Sequence, residues 1–350
     1  MERAIQKASK LIALKSITAR PDVKESSELS NKEKKLLEMK EYNEWVDDSY
    51  LLIGKARLYK HELKEATALF EYSIANANDP EIKTEAAIWL ARVNNETGNF
   101  NESLRILSEL EVNESISKSL RSMYYTTLAD LYARQKRYTE AIDPLLIALD
   151  LVSGKRTKYR LTFLLAQLYE KTGNGSLATV NFQKVIRMRP PYEVEFYARI
   201  NIAGVFDVNT MDPEKMKKEL EKMLRDTKNV DFQDQIYYAL GNMAMREGKE
   251  EEAVQYYHKS ATAISQNQNQ KGRSFLALAN YYFDKPDFIS SGMYYDSTIY
   301  FLDPAFPEYK EIEAKSQNLN ALVSQLNIIQ REDSLQKIAM MNESQRNALI

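Results

Sequence analysis

Along this chain a small residue recurs inside stretches that are otherwise apolar and aromatic. It stands at Gly54, Ala91, Ala129, Ala166, Ala203, Gly241 and Ala279, at intervals of 37, 38, 37, 37, 38 and 38 residues. Around it the apolar positions fall three and four apart, as in Tyr125, Leu128, Ala129 and Tyr132, which is the spacing of one helix face. About a dozen residues later a second stripe follows, as in Ala141, Leu145 and Ala148. Between the two stripes stand polar, glycine-bearing turns: Glu96-Thr-Gly-Asn, Thr172-Gly-Asn-Gly and Arg246-Glu-Gly-Lys. Glycine there supplies the left-handed residue that ends a helix. Each period therefore predicts a helical hairpin.

A repeat built from two helices with a small residue at their crossing resembles the tetratricopeptide (TPR) pattern. The fourth unit reads Leu165, Ala166, Tyr169, Gly173, Ala178, Phe182 and a closing Pro190, and the sixth Tyr237, Leu240, Gly241, Gly248, Ala253, Tyr257 and Ser260. The physical reason is packing: Gly, Ala or Ser at the crossing lets two helices approach, and aromatic side chains fill the volume beside it. The fold class is all-α, a right-handed α-solenoid of about seven TPR-like hairpins with extra N- and C-terminal helices. The period exceeds the usual 34 residues or so, and the excess is assigned to inter-repeat loops such as Ser153-Gly-Lys-Arg-Thr. The fifth unit departs from the pattern. Lys215 stands where a small residue is due, and Met216, Leu220, Met223 and Leu224 form the stripe, one residue late, behind Asp212-Pro213 as N-cap and first helical position.

Three segments are expected. Residues 1–46 hold N-terminal helices, a half repeat plus connector, with Ala4, Ile5, Ala8, Leu11 and Ile12 resembling a second repeat helix without its first, a polar connection at 21–30 and a helix over 31–45. Residues 47–305 form the repeat array. Residues 306–350 form a C-terminal capping helix and tail, with apolar positions Ile312, Leu319, Leu322, Val323, Leu326 and Ile329. The Gln330-Arg-Glu-Asp junction is expected to interrupt that helix, leaving two short tail helices, N-capped at Asp333-Ser334 and at Asn342.

Composition narrows the function classes. Formal net charge is −2 with both signs interspersed, so no basic patch marks a nucleic-acid partner. There are no cysteines, which excludes disulfides, thiolate metal sites and a cysteine nucleophile. The two histidines, His61 and His258, lie far apart in sequence, and neither stands in a zinc-protease motif. No phosphate loop and no nucleophile elbow is present. No catalytic residue, metal site or cofactor is expected, and no apolar run reaches the roughly 18 residues of a membrane span.

A TPR-like array instead binds proteins along the concave face of its first helices. Counting from the small residues, that groove should present Lys55, Tyr59, Arg92, Asn95, Asp130, Arg134, Gln167, Lys171, Tyr238, Asn242 and Asn280. Chaperone-binding TPR domains clamp a terminal carboxylate with Lys or Arg four residues before Asn. Here the corresponding pairs, such as Ile88/Arg92, Thr126/Asp130 and Tyr238/Asn242, lack that combination. In the tail, Leu335, Ile338 and Leu349 are candidate partner contacts.

Two stretches carry a narrower resemblance: Glu2-Arg-Ala-Ile-Gln-Lys-Ala-Ser-Lys followed by Glu41-Tyr-Asn-Glu-Trp-Val-Asp-Asp-Ser-Tyr-Leu-Leu-Ile-Gly-Lys-Ala, and the ending from Glu332 to Ile350. They resemble the repeat region of the PorW/SprE group, TPR lipoproteins of the Bacteroidetes type IX secretion and gliding apparatus. The resemblance implies a periplasmic, outer-membrane-associated scaffold linking the outer-membrane translocon to periplasmic ring components. It carries no catalytic residues to transfer. The chain starts without the signal peptide and lipobox cysteine of that group, so membrane attachment would need a lipid anchor not present here. The alternative is a cytoplasmic TPR adaptor binding peptides or partner helices in an unrelated complex.

Overall fold

The computed structural model describes residues 1–15, 30–31, 43–110, 116–206 and 211–342, and among these every regular element is helical. The chain divides into two compact units, Met1–Glu195 and Phe196–Ile350.

In the first unit, α1 (Glu2–Lys15) is followed by hairpins α2/α3 (Glu44–Tyr59, Leu63–Asn76), α4/α5 (Pro80–Thr97, Phe100–Glu109), α6/α7 (Lys118–Arg134, Tyr138–Leu151) and α8/α9 (Lys155–Lys171, Gly175–Arg187). Each first helix, A, carries the periodic small residue and each second helix, B, covers it. Ala66, Ser103, Ala141 and Ala178 on the B helices are fully buried against it. The closeness of the approach shows at Ser103, whose hydroxyl donates to the Ala91 carbonyl at 3.1 Å across the crossing. At the first hairpin the phenyl ring of Phe70 packs directly on Gly54.

The turns follow from backbone sterics. Gly98 and Gly173 sit at φ 79° and 76°, the left-handed cap that the sequence places there, while His61 and Lys136 hold the equivalent positions at φ 59° and 61°. Helix α1 lays Ile5 and Ala8 on Ile53 and Ala56 of α2, so the half-repeat helix covers the open side of the first hairpin. Its connector and the helix expected over 31–45 lie almost wholly outside the described residues. The stretch Ser153–Thr157 is not all loop: Gly154 is the N-cap, and Lys155, Arg156 and Thr157 form the first turn of α8, because lysine and arginine are good helix formers once glycine has broken the chain before them.

The second unit begins inside α10 (Tyr192–Gly204) and continues with α11 (Pro213–Arg225), a short 3-10 helix (Thr227–Phe232), hairpins α12/α13 (Gln233–Arg246, Glu250–Thr262) and α14/α15 (Gln268–Asp284, Phe288–Phe301), and α16 (Tyr309–Met340). At α11 the Asp212 carboxylate accepts from the Lys215 amide at 3.2 Å, Pro213 takes the first turn, and Lys215 is exposed while Met216 and Leu220 are buried. The inserted residue thus rotates the helix by one position and keeps its core face. In α12/α13 the Tyr257 ring packs on Gly241, and in α14/α15 the Ser291 hydroxyl donates to the Ala279 carbonyl at 2.9 Å.

Helix α16 caps the last hairpin with Ile312 and Leu319, against Tyr295 and Leu302. The Ser316 hydroxyl and Asn320 amide fix it there, both donating to one Asp296 carboxylate oxygen at 2.8 Å. The expected break at Gln330–Asp333 does not occur. The helix runs through it without interruption to Met340, and the Ser334 hydroxyl donates back to the Gln330 carbonyl at 2.7 Å instead of capping a new helix. No glycine or proline stands there, and serine tolerates a helix interior by this back-bond. From Ser324 to Met340 no residue is buried. No described helix is long and apolar enough to cross a membrane.

Candidate partner-binding groove

The A helices of the first unit place the C-terminal halves of α2, α4, α6 and α8 side by side, and their side chains line one concavity of about 630 Å3. Its floor is apolar, with Leu58, Ala129, Leu145 and Leu168 buried and Leu164 largely exposed. Its wall is aromatic: Tyr59, 60% exposed, stands edge-on to Trp89 at 5.9 Å between ring centroids.

The charged groups divide into paired and unpaired. Asp130 is held by two neighbours, accepting from the Arg134 guanidinium at 2.9 Å and from the Asn95 amide at 3.0 Å. Glu96 faces His61 at 3.9 Å. Arg92 is different. Its guanidinium lies 4.6 Å from the Trp89 ring centre, a cation–π contact, and its Nε donates to the Thr127 hydroxyl at 2.9 Å. Burial pushes its pKa below the usual arginine value, against the raising influence of Tyr59, Asp130 and Glu85. Among the described residues no carboxylate forms an ion pair with Arg92 or with Lys171.

Residues 234–267 match the tetratricopeptide repeat family. The matched stretch covers the α12/α13 hairpin. Among curated proteins none matches the chain in sequence. In three dimensions the chain is similar to the apo form of the quorum sensor NprR from B. thuringiensis (TM-score 0.53, 17% identity, 79% of this chain and 79% of that one). It is also similar to a tetratricopeptide repeat protein from Parabacteroides merdae (0.52, 12%, 77% and 98%) and to a Rap protein complexed with competence and sporulation factor (0.50, 18%, 73% and 76%). At these identities the likeness establishes an all-α solenoid of TPR-like hairpins.

The sequence-derived TPR groove positions fall into four groups. Tyr59, Arg92, Asp130, Arg134, Gln167 and Lys171 line the concavity together. Lys55 lies beside it, bound to Glu85 at 2.5 Å. Asn95 does not face the groove. It is 1% exposed and bridges α4 to α6, donating to the Thr127 carbonyl at 3.1 Å as well as to Asp130. Counting along one helix cannot show that the next repeat closes over that position. In the second unit, Asn242 accepts from the Tyr257 hydroxyl at 2.9 Å and Asn280 from the Tyr295 hydroxyl at 2.5 Å, and Tyr238 packs on Tyr257. These contacts lie within their own hairpins, while Asn280 stays exposed and Tyr238 and Asn242 are half-buried. In the tail Leu335 and Ile338 are exposed on α16, and Leu349 lies outside the described residues.

Trp89, Thr127, Leu164 and Leu168 are not among the counted positions. Trp89 stands two residues before Ala91, the small residue of the helix crossing, and is 7% exposed. The signal that could have marked it is the pairing of Trp89 with Arg92, three apart on one helix face.

Proposed function

We propose that this chain is a non-catalytic protein-interaction scaffold whose partner engages the A-helix groove of the first unit. The observation that carries this reading is the concavity itself, where an exposed tyrosine, an apolar floor and unpaired cations share one surface formed by four successive repeats. Aromatic side chains and arginine are the anchors that dominate protein interfaces. Among the described residues the groove brings together no nucleophile and base. Of its lining carboxylates, Asp130 faces Arg134 and Asn95, and Glu96 faces His61.

The resemblance of both chain ends to the PorW/SprE group supports a finer reading. On it the scaffold works in the type IX secretion and gliding apparatus, on the periplasmic side of the outer membrane, between the translocon and the periplasmic ring. The test is cross-linking in cells with a photoreactive residue at Tyr59 or Lys171, combined with fractionation. Adducts with outer-membrane translocon or periplasmic ring components in the cell-envelope fraction are expected. Adducts confined to cytosolic proteins would transfer the same scaffold to a cytoplasmic complex.

A further inference from the structure

The groove of the first unit does not end at Arg92. Arg92 and Thr126 line the 630 Å3 concavity and also a second one of about 520 Å3, which continues along the N-terminal halves of α6 and α8 past Met123 and Leu161. Arg92 therefore lines both concavities, with open volume on either side of it. Its guanidinium is already oriented by the Trp89 ring and the Thr127 hydroxyl, which leaves the two terminal nitrogens to a ligand. A planar, pre-oriented guanidinium in half-dry surroundings suits a carboxylate, which it binds through two parallel hydrogen bonds. Of the carboxylates whose charge reaches it, Asp130 is committed to Arg134 and Asn95, and Glu85 to Lys55. The second unpaired cation, Lys171, lies at the far side of the first concavity and adds to its attraction for negative charge.

We infer that the groove takes an extended peptide segment of a partner protein, with an internal Asp or Glu side chain on Arg92 and a neighbouring apolar side chain against Tyr59 and Leu164. The acidic group is internal and not a chain terminus, because open volume flanks Arg92 on both sides. This inference rests on the groove being the partner-binding face, and it adds the chemistry that the partner must carry.

A random 12-residue library, displayed between glycine-serine linkers so that no free terminus is offered, is panned against the full chain. Enriched sequences should carry Asp or Glu next to an aromatic or large aliphatic residue. The acidic preference should disappear on Arg92→Met while the apolar preference persists. For an enriched peptide made synthetically with both ends capped, binding should weaken at least about tenfold on Arg92→Met, as loss of a charge-assisted hydrogen bond requires. If Arg92→Met does not fold, judged by its melting curve, Lys171→Met at the exposed edge serves as the second variant, with a smaller loss and a flatter salt dependence. Enrichment of peptides without acidic residues, no enrichment, or enrichment only from a library with free C-termini would overturn the inference. Capture of the cellular partner through Tyr59 cross-links alongside such a result would leave the scaffold reading standing and remove only the acidic-peptide specificity.

Discussion

The ring of Phe70 occupies the place where a side chain on Gly54 would begin. A Cβ added at Gly54 would stand 2.7 Å from the ring's Cε1, and at Gly241 it would stand 2.6 Å from Cε1 of Tyr257. The same glycine–aromatic contact thus recurs in both units, at the residue the 37–38 spacing picks out. Gly54→Ala and Gly241→Ala should each destabilise the chain by about 1–3 kcal/mol through overpacking, outweighing the gain of up to about 1 kcal/mol in helix propensity. Gly204→Ala, where a Cβ meets nothing within 4 Å, should be neutral or stabilising. Thermal melts of the three variants check the contrast.

The irregular repeat gives a second comparison. Lys215→Ala should change stability by less than about 0.5 kcal/mol, as an exposed substitution does. Leu220→Ala, five residues on and 1% exposed, should cost about 2–5 kcal/mol. Equal effects in denaturant titrations would mean that the inserted residue does not turn the helix as described.

A third prediction concerns the turns. Lys136 holds a left-handed backbone that costs a non-glycine residue roughly 1 kcal/mol, so Lys136→Gly should stabilise by up to that amount. Gly173→Ala, at φ 76° in the next hairpin, should destabilise similarly. Opposite shifts in midpoint denaturant concentration are the expected reading.

These contrasts also mark what was legible in the sequence. Position along one helix was: the small-residue register, the glycine caps and the insertion at Lys215 all follow from 3.6-residue periodicity and turn chemistry. What crosses from one repeat to the next was not. Asn95 counts as groove-facing on its own helix, yet Thr127 and Asp130 of the following A helix enclose it. Arg92 counts as a groove-facing charge by spacing alone, yet it lies on Trp89 and is tied to Thr127. Helix continuity through Gln330–Asp333 was hidden for a different reason, because Asp and Ser serve equally as caps or as back-bonded interior residues.

The tail follows from that continuity. Since no residue of 324–340 is buried, truncation after Gln330 should leave the melting temperature within a degree or two. A drop of many degrees would mean that the exposed half of α16 is covered in solution by another part of the chain or by a second copy.

His258 sets a pH dependence. It packs edge-on to Tyr294 at 5.7 Å, and burial lowers its pKa below the ordinary 6.5. The unfolded chain then binds the proton more readily than the folded one, so this contribution to stability is present above pH 6.5 and is lost as pH falls below it. Between pH 7.5 and 5.5 the His258→Phe variant should lose less melting temperature than the parent.

Partner capture by a groove variant that keeps the fold bears most directly on the account. Tyr59→Ala combined with Lys171→Glu alters two exposed groove side chains and leaves the hairpin crossings untouched. Partners co-purifying with this variant from cells, quantified against the parent chain, should fall at least about tenfold, a loss of roughly 1.4 kcal/mol or more, with an unchanged melting temperature. Undiminished capture at an unchanged melting temperature would contradict the groove as the working surface of this protein.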